Sequence, residues 1–171
     1  MRRSSRACIA AALALLVSGC QSAFFGYVNR GTGEPDATAI YDDIRGLALD
    51  IYQPQDAAPG APVVLFFYGG AWQYGERDQY RFVGSRLAEN GVVAVVADYR
   101  TWPDIGFPGF VEDGARAVRW TRDHAAEYGG DPERLFLAGH SAGAQIAALL
   151  GTDARRLAAV GLEPADLAGV I

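Results

Sequence analysis

The chain has 171 residues, enough to bury one substantial core, and half of it is hydrophobic. Its net charge is −5, and all 15 basic residues are arginine. An acidic body argues against nucleic acid as a partner, and the lack of lysine rules out Schiff-base chemistry and a phosphate-loop lysine on this chain.

The first elements belong to export. Arg2, Arg3 and Arg6 precede the apolar run Ala7 to Val17, too short to span a bilayer comfortably and patterned as a secretory signal. The run ends in Val17-Ser18-Gly19-Cys20, which resembles a bacterial lipoprotein signal. That resemblance implies a signal peptide over 1–19, cleavage before Cys20, and lipid on the Cys20 thiol. The protein would then be an exported lipoprotein, membrane-anchored and facing the periplasm or the cell exterior. Cys8 would leave with the leader, so no thiol remains for a disulfide, a zinc site or a redox pair. Residues 20–39 show little periodicity and read as a tether, and 40–171 read as the folded domain.

Within that domain, "LALDIYQP" (47–54) alternates like a strand stopped by proline, and "QDAAPGAP" is a turn. "VVLFFYGG" (63–70) is an unbroken apolar run, as expected of a strand buried on both faces of a parallel sheet. A helix is predicted from about Asp78 to Glu89, with Tyr80, Val83 and Leu87 on one stripe and Asn90-Gly91 as its stop. "VVAVVADYR" (92–100) is a second buried strand. A loop with Trp102, Pro103, Phe107 and Pro108 leads to a long helix, about Phe110 to Tyr128, ended by Gly129-Gly130. Strand "RLFLAG", an Ala/Leu-rich helix and the start of a strand in "LAGVI" follow. Strands alternating with helices imply an α/β fold with a mostly parallel sheet.

Two motifs carry chemistry. Gly139-His140-Ser141-Ala142-Gly143 sits between a buried strand and an apolar helix, where a serine can occupy a sharp turn with its hydroxyl exposed. Glycines flank it because a strand reversing into a helix leaves no room for side chains. The turn lies at a helix N-terminus, where free N–H groups favour negative charge, so the Ala142 N–H is a natural oxyanion donor. Tyr68-Gly69-Gly70-Ala71-Trp72 ends the first buried strand, in position to supply further donors.

These motifs, with "VADYR" and the segment from Phe107 to Ala147, resemble α/β-hydrolase esterases of the hormone-sensitive-lipase and feruloyl-esterase-like type, near the prenylcysteine methylesterase-like branch. The resemblance spans roughly residues 45–171. It implies a three-layer α/β-hydrolase sandwich, with 40–171 as its N-terminal part and the sheet incomplete at the C-terminus. It implies Ser141 as nucleophile and the amides of Gly70, Ala71 and Ala142 as the oxyanion hole. Trp72, Trp102 and Phe107 would line an apolar substrate pocket. No cofactor and no metal are expected, and the expected partners are a small-molecule ester and a membrane through the lipid. Many relatives carry histidine where this chain has Tyr68.

A serine nucleophile needs an imidazole and a carboxylate, in chain order Ser, Asp or Glu, His. No histidine follows Ser141. His140 is directed away by the turn, His124 is expected on the solvent side of its helix, and Asp98 and Arg100 read as structural. The acid and base are therefore expected in C-terminal sequence beyond this chain, which alone would be inactive. Two other readings stay open: an arylformamidase-like amidase, and a catalytically inactive, lipid-anchored binding protein on the same fold.

Overall fold

The computed structural model describes residues 22–55 and 60–171. The expected signal peptide, its cleavage site and Cys20 lie outside the described residues. The chain divides after Gly31 into two compact units. In the first, residues 22–28 form a short helix, α1.

The second unit, Thr32–Ile171, is built on a six-stranded sheet. Its strands are β1 (Ala37–Asp42), β2 (Leu47–Tyr52), β3 (Ala61–Phe67), β4 (Val93–Ala97), β5 (Gly130–Gly139) and β6 (Gly169–Val170), in the order β1-β2-β4-β3-β5-β6. β1 and β2 pair antiparallel, as do β2 and β4, whereas the β4–β3, β3–β5 and β5–β6 pairings are parallel. Every residue of β4 and all of β3 except Pro62 are buried, as strands covered on both faces must be.

The helices are α2 (Arg81–Glu89), α3 (Gly109–His124), α4 (Ala142–Thr152) and α5 (Ala154–Ala158). Successive side chains of β3 point to opposite faces. The Phe66 ring lies 5.5 Å from that of Tyr80, which leads into α2, while Phe67 lies beneath Gly114 of α3. Helices on both faces bury Leu49, Val63, Leu65, Leu135, Leu137, Ile146 and Leu150 completely. The chain leaves β3 for β4 on one side and then returns past β3 to β5 on the other. That reversal of strand order falls at β3, and the C-terminal strand ends at such a switch point are where open α/β sheets place their ligands.

The structure differs from the sequence-based expectations at element ends. β1 starts at Ala37, inside the stretch expected to be tether, and α1 falls in the same stretch. The helix expected from Asp78 begins with a 3-10 turn, Arg77–Tyr80. The long helix ends its α-helical part at His124 and continues as a 3-10 turn, Ala125–Tyr128. β5 reaches back to Gly130, across an irregularity in its pairing with β3.

Candidate active site

β3 and β5 run parallel in a register that pairs Phe67 with Gly139. The ladder continues one step further through the bond from His140 N–H to the Phe67 carbonyl, 3.0 Å. Two residues beyond the register pair stand Gly69 on one chain segment and Ser141 on the other. Ser141 adopts φ 52° and ψ −113°, a conformation costly for any residue with a Cβ, and its side chain is exposed. The turn is possible because three glycines interlock around it. A Cβ on Gly139 would overlap the Gly143 backbone, and one on Gly143 would overlap the Phe67 carbonyl. A Cβ on Gly69 would lie 2.5 Å from His140 Nδ1 and 3.2 Å from Ser141 Cβ. The Ser141 hydroxyl makes no capping bond at the start of α4 and so remains available.

The second motif folds as a tight loop. Gly70 (φ 149°), Ala71 (φ 53°) and Trp72 (φ 58°) all have positive φ. The Gly70 carbonyl closes the loop by accepting from Gln73 and Tyr74 N–H, both at 2.9 Å. Among the described residues, the N–H groups of Gly70, Ala71 and Ala142 donate to no protein acceptor. Those of Gly70 and Ala71 lie just beyond Gly69, while that of Ala142 belongs to the first turn of α4. Strained loop, free amides and helix N-terminus together fit a small anionic centre.

A polar frame holds this loop. Arg77 pairs with Asp50 of β2, and its Nε lies 2.8 Å from Asp98 Oδ2 at the end of β4. Burial raises the Asp98 carboxyl above its ordinary value, and the Arg77 charge opposes that shift. Tyr68 reaches Asp98 Oδ1 at 3.4 Å, and its carbonyl accepts from the Tyr99 hydroxyl at 2.7 Å. Arg100 donates three bonds to the fully buried Asp113, two from its side chain at 2.8 and 2.9 Å and one from its N–H at 3.0 Å. Asp98 and Arg100 thus brace the loops.

Residues 49–161 match the BD-FAE family. The chain belongs to that family. Among curated proteins, this BD-FAE chain is 40% identical over 111 residues to a probable isoprenylcysteine alpha-carbonyl methylesterase, ICMEL1, of Oryza sativa, covering 65% of this chain and 26% of that protein. It is 36% identical over 121 residues to the carboxylesterase NlhH of Mycobacterium tuberculosis, covering 70% and 38% respectively. Among solved structures, the butyrate-bound esterase Est2 of Thermogutta terrifontis is 38% identical with a TM-score of 0.62, covering 67% of this chain and 43% of that one. The same esterase phosphorylated by paraoxon is 37% identical, again with a TM-score of 0.62, over 67% and 46%. The fold is that of the α/β-hydrolases, and the chain spans about a quarter to two-fifths of the length of these curated relatives.

The aromatics singled out from the BD-FAE sequence lie along one rim. The Trp72 ring stacks on Phe110 at 6.0 Å, and the Trp72 carbonyl accepts from Trp102 N–H at 2.7 Å. Trp102 and Phe107 are each 60% exposed, and Arg156 lies over the Phe107 ring. His140 turns from Ser141 to the Tyr80 hydroxyl, 2.9 Å from its Nδ1. His124 is half-buried, stacked on Trp120 at 4.3 Å with Nδ1 2.8 Å from the Trp120 carbonyl. It lies about 21 Å along α3 from Phe110, at 1.5 Å per residue. Among the described residues no three His, Cys, Asp or Glu side chains are grouped to hold a metal.

The sequence reading missed Tyr80 and Arg77 as parts of the site's frame. Tyr80 bonds residues 11 and 60 positions away and Arg77 pairs with residues 27 and 21 positions away, so no local spacing points to them.

Proposed function

We propose that this protein is a serine-dependent carboxylic ester hydrolase working through an acyl-enzyme at Ser141. The observation that carries the reading is the exposed Ser141 held at φ 52° by interlocking glycines, with unbonded amides in its own turn and in the neighbouring loop after Gly69. The hydroxyl attacks the ester carbonyl, and its proton passes to a general base. The oxyanion is held by the Gly70, Ala71 and Ala142 N–H groups, in an arrangement typically worth about 3–4 kcal/mol per donor in the transition state. The alcohol leaves with the proton, and water then releases the acid. Base and orienting carboxylate come from sequence beyond these 171 residues. Two facts support this: both histidines here are otherwise engaged, and the chain spans under half of its relatives' length. Trp72, Trp102 and Phe107 form the apolar wall beside the acyl or alcohol group.

The test is a fluorophosphonate label on membranes of the native organism, with mass spectrometry of the Ser141 peptide. Label on Ser141 in a species heavier than 18.2 kDa is expected. An unlabelled Ser141 in a stable native product would sink the reading. We also propose, on the Arg2-to-Cys20 pattern, that the mature protein is held at a membrane by lipid on Cys20. Among the described residues no helix is long and apolar enough to cross a membrane. Metabolic incorporation of an alkynyl fatty acid, lost in Cys20→Ala, checks it.

A further inference from the structure

The Tyr80 side chain is 5% exposed and sits between the two turns that make the site. Its hydroxyl accepts from Gly69 N–H at 3.3 Å and lies 2.9 Å from His140 Nδ1. Gly69 directly precedes the Gly70 and Ala71 amides, and His140 directly precedes Ser141. The ring is clamped by Phe66 at 5.5 Å, Tyr68 at 6.2 Å and Phe82 at 5.9 Å, so packing fixes where the hydroxyl lies. Burial raises its pKa, so it stays a neutral phenol able to accept from Gly69 while donating to the imidazole.

The ladder between β3 and β5 makes its last bond at His140 N–H to Phe67 O. Beyond it, among the described residues, no backbone hydrogen bond joins 68–76 to 141–145. We propose that Tyr80 is a positioning residue: its hydroxyl cross-links the oxyanion loop to the serine turn, so that amides from both converge on one point. The catalytic consequence rests on the ester-hydrolase reading, whereas the cross-link does not. Oxyanion donors act through pre-set geometry, and small displacements lose rate steeply.

The test is Tyr80→Phe in the protein as expressed from its native gene, with exposed His140→Ala as a second variant that leaves the core untouched. Hydrogen exchange at the Gly69 amide should quicken about tenfold in Tyr80→Phe, the usual effect of losing one hydrogen bond. Unchanged protection there overturns the cross-link. On p-nitrophenyl butyrate, kcat per phosphonate-titrated Ser141 should fall about tenfold to a hundredfold, with KM within about twofold. A purely structural Tyr80 would lower the titrated fraction and leave kcat per serine unchanged, which overturns the positioning role. The double variant should be no slower than the slower single, and multiplying losses would also overturn it. If the ester-hydrolase reading itself were wrong, the unmutated protein would not titrate at Ser141, and Gly69 exchange would still decide the cross-link.

Discussion

A methyl group on Gly143 would run into the carbonyl oxygen of Phe67. The first helical turn after the serine is therefore pressed against the end of β3, and backbone meets backbone with no flexible side chain to yield. Gly143→Ala should destabilise the protein by about 1–3 kcal/mol, the usual penalty for overfilling a packed site. A thermal melt with an unchanged midpoint would contradict this packing.

Ser141 holds a backbone shape that glycine adopts freely. Ser141→Gly should therefore abolish phosphonate labelling yet raise stability, by about 1–2 kcal/mol if the strain is typical. Denaturant melts read the stability. A lower midpoint would mean that the turn is not strained.

Arg77 is the common partner of Asp50 and Asp98, with side-chain exposures of 21%, 10% and 25%. Arg77→Met leaves the buried Asp50 and the half-buried Asp98 carboxylates without the cation they share. The expected loss is about 2–3 kcal/mol, below that of a fully buried pair because water still reaches these groups. Adding Asp98→Asn should recover part of it. A double variant as unstable as Arg77→Met alone would argue against charge as the cause.

Asp153 caps α5, and hydrogen bonds from the Arg155 side chain and N–H, with the Arg155 and Arg156 charges, hold its carboxyl down to about 2. A lowered carboxylate stabilises above its unfolded value of about 3.9 and loses that contribution as pH falls towards the folded one. The midpoint difference between the unmutated protein and Asp153→Asn should thus be steady from about pH 5 to 7 and shrink from about pH 4 to 2. Circular-dichroism melts across that range check it, and a difference indifferent to pH would remove Asp153 from the account.

What the sequence made legible was whatever is local. The apolar runs at 63–67 and 93–97 announce strands buried on both faces, and Gly139 to Gly143 announces a serine turn by its spacing together with its place between a buried strand and an apolar helix. β1 escaped notice because an edge strand is half exposed, and its burial alternates weakly over six residues. The rear of β5 was hidden by Asp131-Pro132, which reads as a turn although Gly130 still pairs with Ala61. The Arg77 and Tyr80 links carry no sequence signal. They join residues brought together only when α2 folds back over the sheet.

The pairing of Phe67 with Gly139 also acts as a ruler. Neighbouring strands stand about 4.8 Å apart whatever side chains they carry, because the spacing is set by peptide hydrogen bonds. The two turns that leave β3 and β5 inherit that interval at their start. Side chains on the rim, Trp72, Trp102 and Phe107 among them, can be exchanged without resetting it. Such exchanges would reshape the walls of the site and leave the interval between its two turns as it is, because that interval is written in backbone rather than in side chains.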